Sequence, residues 1–450
     1  MPAIRLRLEE TPRYKDAGSA TPFRISTNTF WIPGTSGQLA PGPQHLDRSD
    51  EITGVLAPRP KEVSGFAPSG RIPMRVYPNQ MVPLALMAGL QTINSTPIQG
   101  TGTNEVQTIT PGGSITGGTW TWTFGGVTSD PIPYNASNAV IQAILENMSN
   151  IEAGDVTVAG GPLPGVAITV TFKGQYAATN VAQATTGVGA LTGSSPTLTV
   201  STTTSGVVGA AVLPSGQGLP SGSWMWQFGP RTGNVPKTAT IDLSYDSPWT
   251  YGSGMAVSSL SVSNDGQVSA DMVGLDVGRY LVDPSLSPSY DAETVKPLMP
   301  KDMVAGWAAG GGPVSSLSWT LSNGLEVRND QGRRTEGRPG RIYLAGYPSI
   351  NGSIDSTEFD QDDWDLMMSA ATFSVTQTWR GPSQIASTGM PYMVILECPA
   401  CQITDGGPED LQAKRMHGAT WGWEAKLSAA LGYSFRLTLV NAVSAAETYV

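Results

Sequence analysis

Two stretches of this chain repeat one pattern. Gly70-Arg71-Ile72-Pro73-Met74-Arg75-Val76-Tyr77 leads into a helix-like run with Leu84, Leu86, Met87 and Ala88. Gly352-Ser353-Ile354-Asp355-Ser356-Thr357-Glu358-Phe359 leads into Leu366, Met367, Met368 and Ala370. The two align without a gap: Gly70 falls on Gly352, Ile72 on Ile354, Tyr77 on Phe359, Leu84 on Leu366 and Ala88 on Ala370. A fixed-offset echo implies two similar units in one chain, each with a strand that runs into a short helix.

Composition says what surrounds that strand and helix. A chain of 450 residues is long for a single core, so two or three domains are expected. With 53 glycines, 35 prolines and many Ser and Thr, the chain is not a helical protein. Charged residues are 14%, against roughly 25% in an ordinary soluble domain. The combination points to a mainly β fold of short strands joined by turns. The net charge of −10 argues against wholesale attraction to nucleic acid, but it suits a surface that DNA touches without sticking. Residues 1–24 carry Arg5, Arg7, Arg13, Lys15 and Arg24 against Glu9, Glu10 and Asp16, and read as an extended, mildly basic arm of the kind that frays. No apolar run is long enough to span a membrane, and Met1-Pro2-Ala3-Ile4-Arg5 does not begin a signal peptide, so a soluble protein is expected.

Between about 104 and 205 the chain turns to Thr, Gly, Ala and Val. Thr119-Trp120-Thr121-Trp122-Thr123-Phe124 alternates as a half-buried strand does, and Val140, Ile141, Ile144, Leu145 and Met148 recur at helical spacing behind Asn135 or Ser137 as N-cap. Val156–Val158, Ile168–Phe172 and Leu198–Val200 return to strand. The segment reads as a small inserted α+β module. The remainder divides into a discontinuous first unit (25–103 and 206–282), a Pro- and Gly-rich connector (283–313) and a second unit (314–450). Strands are expected at 71–77, 224–228, 239–243, 257–262, 268–273, 317–321, 341–344, 350–358, 373–379, 393–396, 421–427 and 435–439. Short helices are expected at 79–88, where Pro83 should bend or delay the helix, and at 361–371.

Several clusters invite a chemical reading. Cys398-Pro399-Ala400-Cys401 has redox or zinc spacing, but it follows an apolar strand rather than opening a helix, and the only histidines are His45 and His417. Structural thiols in a strand or turn are the simpler reading. Asp355, Glu358, Asp360, Asp362, Asp363 and Asp365 could hold a hard cation or supply a carboxylate pair, or they could simply line the first turn of a helix that Asp360 caps. Arg328, Arg333, Arg334, Arg338 and Arg341 flank a loop, either solvated or docked on an acidic neighbour. The pairs Trp120/Trp122, Trp224/Trp226 and Trp421/Trp423 each put two rings on one strand face, for packing or for sugar stacking. No phosphate-cradling Gly loop, His-Glu-x-x-His or Gly-x-Ser-x-Gly occurs. No catalytic, cofactor-binding or metal site is assigned, and no enzyme activity is expected.

The order of these pieces resembles a known family. A Gly-Ile strand leads into one short helix, then come Lys237–Leu243 and Gly254–Val262, and the last strand ends on Leu439-Val440-Asn441. This looks like the tail tube proteins of long, non-contractile phage tails, in a form with two tube domains in tandem. The inserted module, with Tyr134-Asn135-Ala136-Ser137 before its helix and Gly154–Val158 after it, is similar to accessory modules of phage virion proteins. The resemblance covers most of residues 20–445 and rests on diffuse patterns.

It implies two β-barrel or sandwich domains, each flanked by a helix. It also implies homo-oligomeric rings, trimeric with pseudo-sixfold symmetry or hexameric, which stack into a tube in the virion tail after assembly in the host bacterial cytoplasm. The implied partners are tape-measure and tail-terminator proteins and passing double-stranded DNA, bound without specificity, with no cofactor and no membrane. An acidic or neutral bore would let DNA slide, although the sequence does not show which residues line it. The alternatives are another phage structural protein (capsid, decoration or fibre subunit) or an extracellular carbohydrate-active enzyme or adhesin.

Overall fold

In the computed structural model the described residues are 3–10, 25–46, 61–88, 90–92, 97–230, 236–244, 249–280, 288, 290, 295–307, 313–328, 340–357, 361–386, 388–408 and 418–446. The fold is mainly β, with three α-helices among these residues. The chain begins in the sheet rather than as a free arm. In β1 (Ala3–Leu8) the alternate residues Ile4, Leu6 and Leu8 enter the core. Arg5 and Arg7 reach the fully buried Asp242 at 2.7 and 3.5 Å, and Tyr280 donates to the same carboxylate at 2.6 Å. Glu9, also buried, accepts from Thr238, Thr240 and the Gly254 amide. Arg5 and Arg7 thus answer a buried acid on the facing strand, whereas Arg13, Lys15 and Arg24 of the expected arm lie outside the described residues.

After β1 come β2 (Gln38–Ala40), the hairpin β3 (Pro43–Leu46) with β4 (Glu62–Phe66), and β5 (Ser69–Arg75), which runs into α1 (Pro78–Met87). Pro78 starts the helix where no amide partner is needed, and Pro83 lies inside it without ending it. Every residue of α1 is buried, as an apolar helix at the centre of a core should be. Asn323 donates to Ala88 O (2.7 Å) at one end, and Asn441 donates to Pro78 O (3.1 Å) at the other.

The inserted segment forms its own seven-stranded sheet and its own core. Its principal elements are β6 (Val106–Phe124), α2 (Asn138–Glu146), β7 (Val156–Gly160), β8 (Ile168–Phe172) and β9 (Leu191–Thr204). Just outside it, Thr103 and Val207 exchange two backbone hydrogen bonds of 2.9 Å, so the chain leaves and re-enters the first unit at one point. Arg380 reaches Asp155 at 3.2 Å and ties the module to the second unit.

The first unit resumes with β10 (Trp224–Gly229), β11 (Ala239–Ser244), β12 (Thr250–Val262) and β13 (Gln267–Val273). Next is β14 (Met303–Trp307), which lies within the expected connector yet pairs with the second unit. The second unit contains β15 (Val314–Ser322), the hairpin β16 (Leu325–Arg328) with β17 (Arg341–Leu344), and β18 (Ser349–Ser356) running into α3 (Gln361–Ser369). It ends with β19 (Phe373–Gln384), β20 (Pro391–Pro408), β21 (Ala419–Ala425) and β22 (Arg436–Asn441).

The repeat extends through the register of these strands. Gly70, Ile72 and Met74 pair with Met272, Ala270 and Val268, while Gly352, Ile354 and Ser356 pair with Trp423, Trp421 and Ala419. The next strand out is β12 in one unit and β20 in the other, and both bend at equivalent places. In β12 the register against β11 skips between Gly252 and Met255, and in β20 the register against β19 skips between Cys398 and Cys401. A second skip falls at Val257/Ser259 in β12 and at Ile403/Asp405 in β20. Bulges like these turn a strand from one sheet into another. Thus Cys398-Pro399-Ala400-Cys401 is a corner: before it β20 pairs with β22, and after it with β21.

The antiparallel order β2–β5–β13–β12–β15–β18–β21–β20 therefore joins both units in one layer. The first halves of β12 and β20 belong instead to β1–β11–β12 and to β14–β19–β20–β22–β10. These strands share one core with α1, and the sheets do not close into barrels.

The carboxylate of Asp242 holds β1 in place. Asp242→Asn leaves Arg5 buried beside a neutral amide, which should cost about 3 kcal/mol and lower the urea midpoint accordingly. Tyr280 adds a pH dependence. Burial, reinforced by its hydrogen bond to Asp242, pushes its phenol from 10.0 up to about 12. Above the lower value the unfolded chain releases this proton while the folded chain keeps it, so stability falls as pH rises through that window. In alkaline thermal melts, Tyr280→Phe should flatten this decline relative to wild type.

Candidate assembly surfaces

The side chains that invited a chemical reading occupy ordinary structural places. Cys398 and Cys401 are free and fully buried. Cys401 Sγ donates to the Cys398 carbonyl at 3.7 Å, and the hydrogen bond between the thiols, together with burial, pushes the Cys398 thiol well above its ordinary range. His45 is exposed on β3, and His417 lies outside the described residues. Among the described residues no group of three or more His, Cys, Asp or Glu could hold a metal ion.

The acidic cluster is split. Asp355 sits on β18 and accepts from Ser316 and from Thr420 (2.8 Å), whereas Asp362 and Asp365 are exposed on α3. Glu358, Asp360 and the side chain of Asp363 lie outside the described residues. Arg328 and Arg341 face each other across the β16–β17 hairpin, and Arg328 stacks over Tyr343 with 5.4 Å to the ring centroid. Arg333, Arg334 and Arg338 lie outside the described residues. Trp120, Trp122, Trp226, Trp421 and Trp423 are buried, and Trp224 is half-buried. These rings fill cores and offer no exposed sugar platform.

The eight-stranded layer has two unlike faces. Leu260, Val262, Trp319, Ile354 and Trp421 point into the core. The alternate positions Ser259, Ser261, Ser318, Thr320, Ser353 and Thr420 form a flat hydroxyl-rich surface. Its cations are held by acids: Arg71 by Asp271 at 3.4 Å and Lys426 by Glu424. Arg75 donates to the Asp265 backbone carbonyl at 3.1 Å, and its charge helps keep the Asp265 carboxyl below its usual range, after the larger effect of the Ser263 hydrogen bond. A shallow, open depression on this face is lined by Gly352, Ser353, Asp405, Gly406, Gly407 and Thr420. It offers a single carboxylate, short of the pair that glycoside hydrolysis needs.

The layer also has two unlike seams. Inside the chain, β12 of the first unit pairs with β15 of the second: Ser259 with Ser322, Leu260 with Leu321, Ser261 with Thr320 and Val262 with Trp319. At the outer ends, among the described residues, β2 pairs only with β5, and Gln402–Pro408 of β20 pair only with β21. Two open backbone edges result, one on each unit. The echo at Gly70 and Gly352 pointed to the repeat, but the sequence did not mark these edges. The signal available was Leu39 and Trp319, which take the same rung beside Gly70 and Gly352.

No protein-family model matches this chain, and no curated protein matches it. In the native protein at mildly alkaline pH, Cys398 and Cys401 should resist a thiol-specific disulfide reagent, and both should react once guanidinium unfolds the chain. Rapid labelling of the native protein would show that the corner opens.

Proposed function

We propose that this chain is a structural subunit rather than an enzyme, and that copies of it join side by side into rings that stack as a tube for double-stranded DNA, in the manner of a phage tail tube. The observation that carries this reading is the β12–β15 seam: two similar units already complete one another's sheet within the chain, and in that layer each keeps an outer edge that no described strand pairs. Open edges are templates for further strands, and a head-to-tail contact that closes on itself yields a ring. Three chains would supply six units. The hydroxyl-rich face supports the conduit role, because among its described residues Arg71 and Lys426 are paired with Asp271 and Glu424 and Arg75 donates to the Asp265 carbonyl, which leaves phosphates little purchase. The net charge of −10 per chain works in the same direction.

Electron microscopy of the purified protein should show hollow tubes of uniform diameter, built from rings whose mass is that of three chains. Closed shells, solid fibres or dispersed monomers at high concentration would overturn the reading.

A further inference from the structure

We infer that the open edge of β20 in one molecule pairs with the open edge of β2 in a second copy of this chain, in the register of the internal β12–β15 seam. This deepens the assembly reading above, and rests on it, by naming the partner and the rungs. The register follows from the repeat. Strand β20 matches β12 through two shared bulges, so Asp405, Gly406, Gly407 and Pro408 stand where Ser259, Leu260, Ser261 and Val262 stand. Strand β2 matches β15 through its rungs to Gly70 and Gly352, so Leu39 and Ala40 stand where Trp319 and Thr320 stand. Transferring the internal pairing places Pro408 opposite Leu39 and Gly407 opposite Ala40 of the next molecule. Continuing along the chain places Gly406 opposite Pro41 and Asp405 opposite Gly42. Pro41 and Pro408 then fall on rungs of the same parity. The Gly42 carbonyl already accepts from the Ala67 amide just before β5, so by alternation the outward backbone groups of β2 and its continuation are those of Leu39 and Pro41. The internal seam likewise hydrogen-bonds on the rungs Leu260/Leu321 and Val262/Trp319, so the rungs Gly406/Pro41 and Pro408/Leu39 each lose one of two bonds to proline and keep the other.

Two further features lack in the second unit or at the outer edge what their counterparts have inside the chain. Helix α1 is wholly buried, but its counterpart α3 exposes Asp362, Asp365, Met368 and Ser369, where α1 buries Gln80, Pro83, Leu86 and Met87. The hairpin β16–β17 lays Ile342, Leu325 and Val327 on Ala256, Val273 and Leu275 of the first unit, across the seam. Its counterpart β3–β4 exposes every residue of β3, with Leu46 and Val63 about half-exposed. A second copy set down by the internal register brings a first unit against α3, and brings the β3–β4 hairpin onto a second unit. A contact that joins unlike surfaces of identical chains is head-to-tail.

Cysteine cross-linking tests the register in the full chain. Ala40 and Gly407 both lie on the hydroxyl-rich face, and a β-carbon added at Gly407 meets open space. Facing Cα atoms on a non-hydrogen-bonded rung such as this one are about 4.5 Å apart, within disulfide range. Ala40→Cys with Gly407→Cys, oxidised by copper phenanthroline, should yield covalent dimers and trimers on a non-reducing gel, with the buried Cys398 and Cys401 uninvolved. Ala40→Cys with Asp405→Cys, two rungs out, should link at least ten-fold less. Ser261→Cys with Thr320→Cys, the same rung inside the chain, should link within the monomer and so confirms that the variant chain folds and that the geometry is reachable. Tubes or rings that form but link preferentially through 405 would overturn the register and leave the assembly reading standing. Linked internal controls with no intermolecular product and no rings would overturn both.

Discussion

A strand edge carries a row of backbone amides and carbonyls, and each must find a partner. The fold is governed by where those groups go. In each unit four strands of the common layer are joined edge to edge, and one edge of each unit is completed by the other unit across β12 and β15. The core follows from that join. With the layer continuous, α1 is enclosed by strands of both units, and the amides of Asn323 and Asn441, both from the second unit, hold its two ends. A buried C-terminal carbonyl left unmet would cost more than a hydrogen bond gains, so the Asn323 amide on Ala88 O is part of the reason the units do not separate.

The corners show one solution reached with different residues. Strand β12 turns through Gly252-Ser253-Gly254-Met255, with Gly254 at φ +61° and its amide held by the buried Glu9. Strand β20 turns at the equivalent place through Cys398-Pro399-Ala400-Cys401. One corner relies on a glycine that accepts a left-handed backbone, the other on a proline that donates no hydrogen bond where the ladder is interrupted anyway. The two thiols pack inward because they flank that interruption. Their spacing, which resembles a redox or zinc motif, is set by the bulge.

Much of the fold was legible because burial imposes period-two alternation. Arg341–Leu344, the stretch at 224–228 and the short helices at 79–88 and 361–371 read directly from their apolar spacing. The misses have physical causes. Ala3–Leu8 reads as a fraying basic arm until Asp242, far away in sequence, supplies the buried partner for Arg5 and Arg7. Val106–Phe124 is one continuous strand, of which only Thr119–Phe124 was expected from alternation, because β9 pairs along Val106–Gly118. Pro399 hides the full length of β20. The open edges were not legible at all: an edge is a statement about which neighbour is missing, and that depends on strand order rather than on any residue's own character.

Tandem repetition makes the two seams unequal. The β12–β15 seam is closed within one chain, where the covalent link keeps the second unit at high effective concentration, so it forms as the chain folds. Its counterpart between molecules has no such help. Its edges are also poor templates for stray strands: β2 is three residues long, and Pro41 and Pro408 interrupt the donor rows. Short edges and edge prolines are devices that keep sheets from pairing indiscriminately. In the proposed assembly such an edge accepts a partner when α3 and the β3–β4 hairpin are covered at the same time, which a second copy in that register would do and a random strand would not. In the assembly we propose, selectivity for self comes from requiring several weak surfaces to fit together, while the strong pairing stays inside the chain.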